Sequence, residues 1–228
     1  MSLETLKTKV GKLIEKAQSG GGEFVGIKWL EVDKGGFPTK AEVSGAPTFN
    51  ILFYNGTMYG CYKNLEEVII PSSTTEIGVN AFDRCTNLKK ISDISNVIKF
   101  STSCFDRCAL LEIDELPQKL VYIEQYAMRG CVKNQFDEMP ATVESIGAAA
   151  FNDGWKNSKL IFKGTPQTIA NNAFMNNANI TDIYCPWAEG AVANAPWGAT
   201  QAKIWYGVAY VENGIPYDKD GNPIEQEV

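Results

Sequence analysis

The sequence of 228 residues contains no histidine. Histidine is the commonest general base, a frequent metal ligand and the usual partner of a nucleophilic serine or cysteine. The glycine-rich motifs that bind nucleotide phosphates and the GxSxG motif of serine hydrolases are also missing from the sequence. We therefore predict a protein that is not an enzyme and that has no catalytic residue, no cofactor and no metal site.

Basic residues are outnumbered by acidic ones, 21 to 27, and the formal net charge is −6. This balance disfavours a phosphate-binding face, so we expect no nucleic-acid partner. The N-terminus has no signal-peptide core, and no later apolar stretch is long enough to span a bilayer. We expect synthesis in the cytoplasm, no membrane insertion, and thiols instead of disulfides for the 6 cysteines. The final localisation stays open, with association with a virion as one option.

What the sequence does contain is a repeat of 23 residues. Three columns of similar residues recur at this spacing without slippage, one of them aliphatic, one small and one aromatic. Their members are Ile77, Phe100, Ile123, Ile146 and Ile169; Ala81, Cys104, Ala127, Ala150 and Ala173; and Phe82, Phe105, Met128, Phe151 and Phe174. A weaker leucine column contains Leu65, Leu88, Leu111 and Ile180, with Asn134 and Asn157 in between.

This period is typical of leucine-rich repeats, which span about 20–29 residues. One copy cannot bury its apolar side, whereas stacked copies turn each column into a continuous ladder of contacts. Counting back 23 residues from the first clear copy places Tyr54, Met58 and Tyr59 in the three columns. We therefore predict six copies over residues 48–185. Each should have short strands, a polar turn, and one helical or 3₁₀ turn around the alanine column.

The best copy follows the pattern Ile-x3-Ala-Phe-x2-Cys-x2-Leu-x2-Ile over residues 77–91. This pattern resembles the BspA-type leucine-rich repeats of bacterial surface proteins and of some phage-encoded proteins, and the resemblance covers residues 48–185. It implies an α+β or mostly β solenoid, a right-handed coil of about six repeats with capping elements at both ends. It also implies a ligand-binding or adhesive role instead of catalysis.

The flanking segments are predicted to cap the solenoid and to attach it to other molecules. Residues 1–19 show an amphipathic helical stripe, through which the chain could bind a partner or form a homo-oligomer. Residues 20–47 are predicted to form a linker and a strand cap. Residues 186–206 are predicted to form a cap with a small helix and a strand, and residues 207–228 a hairpin and a loose tail.

Turn motifs and tryptophans add detail to these ends. Asn55-Gly56 and Asn213-Gly214 are two-residue hairpin signals. Trp187, Trp197 and Trp205 are expected to cover the last coil, because the end of a solenoid would otherwise expose its apolar interior, and an aromatic binding site is the alternative.

Two Asp-Arg pairs repeat in register, Asp83-Arg84 and Asp106-Arg107, and they are the candidate binding residues. An exposed ion-pair ladder is the simpler interpretation, and a recognition patch for an anionic or sugar ligand is the alternative. In later copies the same face carries many asparagines. Asparagine suits tight turns and also hydrogen bonds to carbohydrate, and we favour turns.

Other groups with chemical potential receive structural interpretations. Cys85, Cys108 and Cys131 share one column and are predicted to be buried thiols, with a disulfide under oxidation as the alternative. Neighbouring residues in a strand point to opposite faces, so adjacent acidic residues should make poor acid–base dyads. This expectation applies to Glu66-Glu67, Asp114-Glu115 and Asp137-Glu138.

The favoured function is a non-catalytic interaction or adhesion module whose repeat surface binds a protein or a glycan. Association with a phage or prophage tail would reconcile a surface-protein repeat with the missing export signal. An intracellular scaffold or regulator that binds a host protein is the alternative, and a carboxylate-based glycosidase is a remote one.

Overall fold

The computed structural model describes residues 26–35, 38–44, 48–49, 53–54, 57–58 and 65–225. The amphipathic helix predicted for residues 1–19 lies outside these ranges, so self-association through it stays a prediction. Residues 226–228, the end of the predicted tail, also lie outside them.

The described strands are short, because the chain turns after a few residues to start the next side of a coil. In chain order they are β1 (Gly26–Val32), β2 (Pro38–Ser44), β3 (Thr48–Phe49), β4 (Phe53–Tyr54), β5 (Thr57–Met58), β6 (Glu67–Ile69), β7 (Glu76–Ile77), β8 (Lys90–Ser92), β9 (Lys99–Phe100), β10 (Tyr122–Ile123), β11 (Glu138–Met139), β12 (Ser145–Ile146), β13 (Lys159–Phe162), β14 (Thr168–Ile169), β15 (Asp182–Cys185), β16 (Lys203–Tyr206), β17 (Tyr210–Glu212) and β18 (Ile215–Tyr217).

One side of the coil is a parallel six-stranded sheet, which we call the repeat sheet. Its strand order is β14-β12-β10-β9-β7-β3. The aliphatic column pairs across it in register: Ile77 is the partner of Phe100, Phe100 of Ile123, and Ile123 of Ile146. All of these side chains are buried. The predicted solenoid of about six coils and its 23-residue register are confirmed.

A second side consists of two separate four-stranded sheets. The N-terminal sheet has the order β1-β2-β6-β8, and the C-terminal sheet has the order β11-β13-β15-β16. The hairpin of β1 and β2 is antiparallel, and β2 continues in parallel onto β6. These strands form in the part of residues 20–47 where a strand cap was predicted. Within residues 65–225, no strand lies between β8 and β11 to pair with both, so the second side is interrupted there.

The third side is a ladder of tight turns, and the helical or 3₁₀ turn predicted around the alanine column is wrong. Asn80 and Arg84 have left-handed backbones, with φ of 56° and 57°. Ala81 N–H donates within its own coil to Gly78 O at 3.1 Å, whereas Phe82 N–H donates to Cys104 O of the next coil at 2.8 Å. A helix would use all of these donors internally, whereas this backbone shares them between coils. In residues 65–225 the 3₁₀ helix Ile94–Asn96 is the only helix.

The aromatic column forms the centre of the core. The rings of Phe82 and Phe105 are parallel with centroids 5.5 Å apart, and those of Phe151 and Phe174 are parallel at 5.2 Å. Met128 lies between these two stacks and is also fully buried. Each buried phenylalanine contributes about 1.5–3 kcal/mol relative to an exposed one, so the column stabilises every interface between coils.

The register of the first coil differs from the prediction. Phe49, and not Tyr54, is the strand partner of Ile77. Tyr54 instead pairs with Thr57 in the antiparallel hairpin of β4 and β5, where the Asn-Gly signal predicted one. The hairpin lengthens the first coil, so its strand pairing is displaced from the 23-residue spacing.

The C-terminal cap is a modified seventh coil. The strand predicted around Ile204 is present as β16, which pairs in parallel with β15. The predicted helix is wrong, because the preceding residues form turns. Trp197 follows Phe174 by 23 residues, is fully buried and accepts the equivalent backbone hydrogen bond, from Phe174 N–H at 2.9 Å. Val192 likewise continues the aliphatic column and is buried.

Two further end features agree with the sequence. Trp187 is buried against Trp197 with ring centroids 6.2 Å apart, whereas Trp205 is partly exposed. Strands β17 and β18 form the predicted hairpin. Its Asn213 and Gly214 have φ of 49° and 82°, as a two-residue turn with two left-handed positions requires.

Candidate functional site

The first candidate is the pair of Asp-Arg motifs, which lie on the turn ladder. Asp106 is only 3% exposed, and its carboxylate receives two hydrogen bonds from Arg129 of the next coil, one of them from Nε at 2.8 Å. Arg129 also lies over the ring of Tyr126, 4.1 Å from its centroid. Asp106 is therefore a structural link between coils and is not available to a ligand.

Asp83 occupies the equivalent position one coil earlier but has no such partner. Its Oδ1 is buried without a hydrogen bond, and the nearest cationic atom, Arg84 Nε, is 3.9 Å away. Burial and the neighbouring Asp106 raise the pKa of Asp83. Of the predicted patch, only the side chains of Arg84 and Arg107 are exposed, so the arginines are the accessible part of the two motifs.

The cysteine column is an internal hydrogen-bond ladder. Cys108 Sγ donates to Phe82 O at 2.9 Å, and Cys131 Sγ donates to Phe105 O at 3.0 Å. In the same column, Asn177 Nδ2 donates to Phe151 O at 2.8 Å. Burial raises the pKa of the Cys108 thiol, which lowers its reactivity. The described cysteines are buried and none of them forms a disulfide, as predicted.

The asparagines predicted to belong to turns brace neighbouring coils. Asn179 Nδ2 donates to Trp155 O at 2.7 Å, and Asn172 Oδ1 accepts from Ala149 N–H at 3.3 Å. Asn134, in the leucine column, is buried and donates to Cys131 O at 2.9 Å. These amides are engaged within the solenoid, which favours the turn interpretation over carbohydrate binding.

A different site opens where the second side of the coil is interrupted. The column that contains Ile91, Leu160 and Ile183 has an aspartate in the two intervening coils, Asp114 and Asp137. An unpaired carboxylate cannot replace a buried aliphatic group without a large desolvation cost. The chain therefore buries neighbouring apolar residues in these coils, and a bend replaces the strand at residues 114–115. The substitutes are Ile113, Leu116, Phe136 and Met139.

The result is an acidic groove with two adjoining cavities of about 510 and 360 Å³, which share Asp114 and Glu115. Six carboxylates line it, against two lysines: Glu67, Glu112, Asp114, Glu115, Asp137 and Glu138, with Lys89 and Lys90. The prediction that adjacent acidic residues point apart is wrong here. Both members of Asp114-Glu115 line the groove because no strand forms there, and Asp137 lines it beside Glu138.

Most of the groove's carboxylates have no ion-pair partner. Glu67 pairs with Lys40 at 3.1 Å, and Glu138 pairs with Lys163 at 2.9 Å. Within the described part of the chain, no ion pair reaches the other four carboxylates. Across all the described residues, no group of three or more Cys, Asp or Glu side chains is placed to bind a metal ion.

The outer face of the repeat sheet contrasts with the groove, because its charges pair with each other. Lys99 Nζ lies 2.9 Å from Glu124 and 3.5 Å from Glu76. Partial burial raises the pKa of Glu124, but the hydrogen bonds from Lys99 and Thr102 outweigh it and lower the pKa overall. This face is a closed network, which leaves the groove as the less compensated surface.

Comparison with known proteins places the chain in a family. Residues 53–181 match the BspA-type leucine-rich repeat region, in 6 copies. Because this match covers more than half of the sequence, the chain belongs to the BspA-type leucine-rich-repeat family. No curated protein matches it. Among the described residues, no helix is long and apolar enough to cross a bilayer.

Two solved structures share the fold. A leucine-rich cell surface protein from Faecalibacterium prausnitzii is 20% identical with a TM-score of 0.53, over 81% of this chain and 56% of that one. A leucine-rich repeat protein from Eubacterium ventriosum is 20% identical with a TM-score of 0.50, over 87% of this chain and 49% of that one. The chain thus spans about half the length of these bacterial proteins.

Proposed function

We propose that the chain is a non-catalytic interaction module that binds a basic segment of a protein partner in the acidic groove. The main support is the interruption between β8 and β11. It opens a groove across successive coils, and most of the carboxylates that line this groove have no ion-pair partner. Membership of a repeat family supports the proposal, because stacked repeats present an extended surface suited to binding.

The chemistry of the groove favours a segment with both cationic and apolar side chains. Glu112, Asp114 and Glu115 attract cations, whereas Ile91, Ile94 and Ile113 provide apolar lining. Charge complementarity of this kind speeds association and selects against acidic partners. Surface adhesion, phage-tail attachment and intracellular scaffolding are all compatible with this proposal, since each can use a protein-binding face.

The test is fluorescence anisotropy with labelled peptides that alternate lysine and leucine, compared with peptides in which glutamate replaces lysine. We expect the basic peptide to bind and the acidic peptide not to bind. The double variant Asp114→Asn/Glu115→Gln should weaken binding about tenfold, which corresponds to about 1.4 kcal/mol. High salt should weaken it further, because ions screen exposed charges.

The matched control is Glu144→Gln/Asp153→Asn, which removes the same charge from exposed residues outside the groove. Its affinity for the basic peptide should stay within about twofold of the unmodified protein. Equal weakening in both double variants would mean that net charge, and not the groove, attracts the peptide.

The glycosidase alternative has the same location, because the groove brings carboxylates together. Hydrolysis of chromogenic glycosides by the unmodified protein, lost in Asp114→Asn and in Glu115→Gln separately, would replace the binding proposal with a catalytic one. We expect no hydrolysis.

A further inference from the structure

A third cavity lies between the C-terminal sheet and the start of the C-terminal hairpin. Its volume is about 150 Å³, and both the sheet and residues 208–211 line it. Along β13, Leu160 and Phe162 are buried in the core, so Ile161 between them faces outward into the cavity. Glu138 and Tyr184 are the strand partners of Ile161 and line the cavity with it.

Tyr184 is the unusual member of this cavity. The residue is only 3% exposed, and its hydroxyl has no hydrogen bond to any described residue. A hydroxyl at a cavity wall without a protein partner binds water, which a polar group of a ligand can displace. A nearly buried side chain that lines a cavity with a free hydroxyl therefore provides a binding group for a polar ligand.

The ring of Tyr184 is held in place from the other side. It is nearly parallel to the ring of Trp205, with centroids 6.3 Å apart. Trp205 Nε1 donates to Asp182 at 2.9 Å, and Lys203 Nζ lies 4.0 Å from the Trp205 centroid. The hydroxyl of Tyr184 is thus presented by a fixed aromatic group, which reduces the entropy lost on binding.

The remaining walls combine aromatic and charged groups. Tyr210 lines the cavity, is 48% exposed and stacks on Tyr217 with centroids 5.0 Å apart. Lys163 and Glu138 form an ion pair at 2.9 Å, and each side chain is about half exposed. The cavity therefore offers an aromatic surface, a cationic donor, an anionic acceptor and a hydroxyl within the space of one small ring.

We propose that this cavity binds one pyranose unit at the end of a glycan. A pyranose has an apolar C–H face that packs on an aromatic ring, and hydroxyls that both donate and accept hydrogen bonds. The cavity is smaller than the roughly 300–1,000 Å³ of sites for drug-sized ligands, which suits a single sugar ring. This site goes beyond the protein-binding proposal, because Tyr184 and Tyr210 lie outside the acidic groove.

The experiment is saturation-transfer NMR and titration calorimetry of the full chain with methyl glycosides of glucose, galactose, mannose and N-acetylglucosamine. At least one should bind with a Kd near the millimolar range. Tyr184→Phe keeps the ring and removes the hydroxyl, and it should weaken binding about fivefold. Tyr210→Ala should abolish detectable binding, because it removes the aromatic wall.

The groove variant Asp114→Asn/Glu115→Gln is the matched control and should bind the glycoside like the unmodified protein. Unchanged thermal unfolding of Tyr184→Phe would show that its effect is local. Three results would overturn the proposal: no glycoside binds, Tyr184→Phe binds as well as the unmodified chain, or phenylalanine amide occupies the cavity in preference to every glycoside. The last result would identify it as an anchor for an aromatic side chain of a protein.

Discussion

Asp83→Asn should stabilise the protein at neutral pH. The Asp83 side chain is 17% exposed, and its buried Oδ1 has no hydrogen bond. Burial and then Asp106 raise the pKa of Asp83, whereas Arg84 and Arg107 oppose that shift. The ionised carboxylate is therefore less stable in the folded protein than in the unfolded chain, and a neutral amide of the same shape removes this penalty.

The magnitude follows from the partial compensation at this position. Leaving a buried polar group unsatisfied costs about 1–3 kcal/mol and more when the group is charged, and Asp83→Asn removes only the part that the charge adds. The remaining exposure and the 3.9 Å contact with Arg84 Nε place Asp83 near the lower limit. We expect a gain of about 1 kcal/mol, which corresponds to about 3 °C in Tm for a chain of this length.

The stability gained by Asp83→Asn should depend on pH. Because the folded pKa is raised, folding favours the protonated form of Asp83. That contribution is complete below the unfolded pKa and is lost as pH rises through the folded pKa. The advantage of Asp83→Asn should thus be largest at neutral pH and should shrink as the solution is acidified towards the pKa of a free aspartate.

The assay is urea denaturation followed by tryptophan fluorescence at several pH values. Asp153→Asn is the control, since it makes the same chemical change at an exposed residue. It should shift stability by less than about 0.5 kcal/mol. A destabilised Asp83→Asn protein, or a gain that does not change with pH, would contradict the assignment of Asp83 as a buried and poorly compensated charge.

Two further predictions concern the contacts between coils. Phe105→Ala, which empties a fully buried position in the aromatic column, should cost about 3–5 kcal/mol in urea denaturation, and Phe105→Leu should cost clearly less. Arg129→Leu should cost about 3 kcal/mol because it leaves the Asp106 carboxylate buried and unpaired. The double variant Asp106→Asn/Arg129→Leu should recover part of that loss, and additive losses would argue against a direct link.

The sequence predicted the periodic part of the fold well. Residues such as Phe82, Phe105 and Phe151 recur at a fixed spacing because each must fill the same place in successive coils. The pairing of β4 with β5 and of β17 with β18 was also predictable from Asn-Gly signals in the sequence, since local backbone conformation largely determines a two-residue turn.

The sequence-based predictions were wrong where the structure of a segment depends on contacts with another coil or on a local departure from the repeat. The turn at Ala81 looked helical from its spacing, but its donors alternate between its own coil and the next. Tyr54 matched the period, yet a local hairpin shifts the first coil so that Phe49 pairs with Ile77. Trp197 continues the aromatic column, a match that the 23-residue spacing alone would have revealed.

The sequence by itself determined the repeat, its register and its buried columns, because a side chain that recurs at one period meets its own equivalent in the next coil. Only the tertiary structure decided which charged residues are available. Asp106 and Asp114 look alike in the sequence, but an arginine one coil later pairs with the first, and a lost strand exposes the second. The free hydroxyl of Tyr184 likewise depends on how the C-terminal hairpin packs, which no spacing in the sequence records.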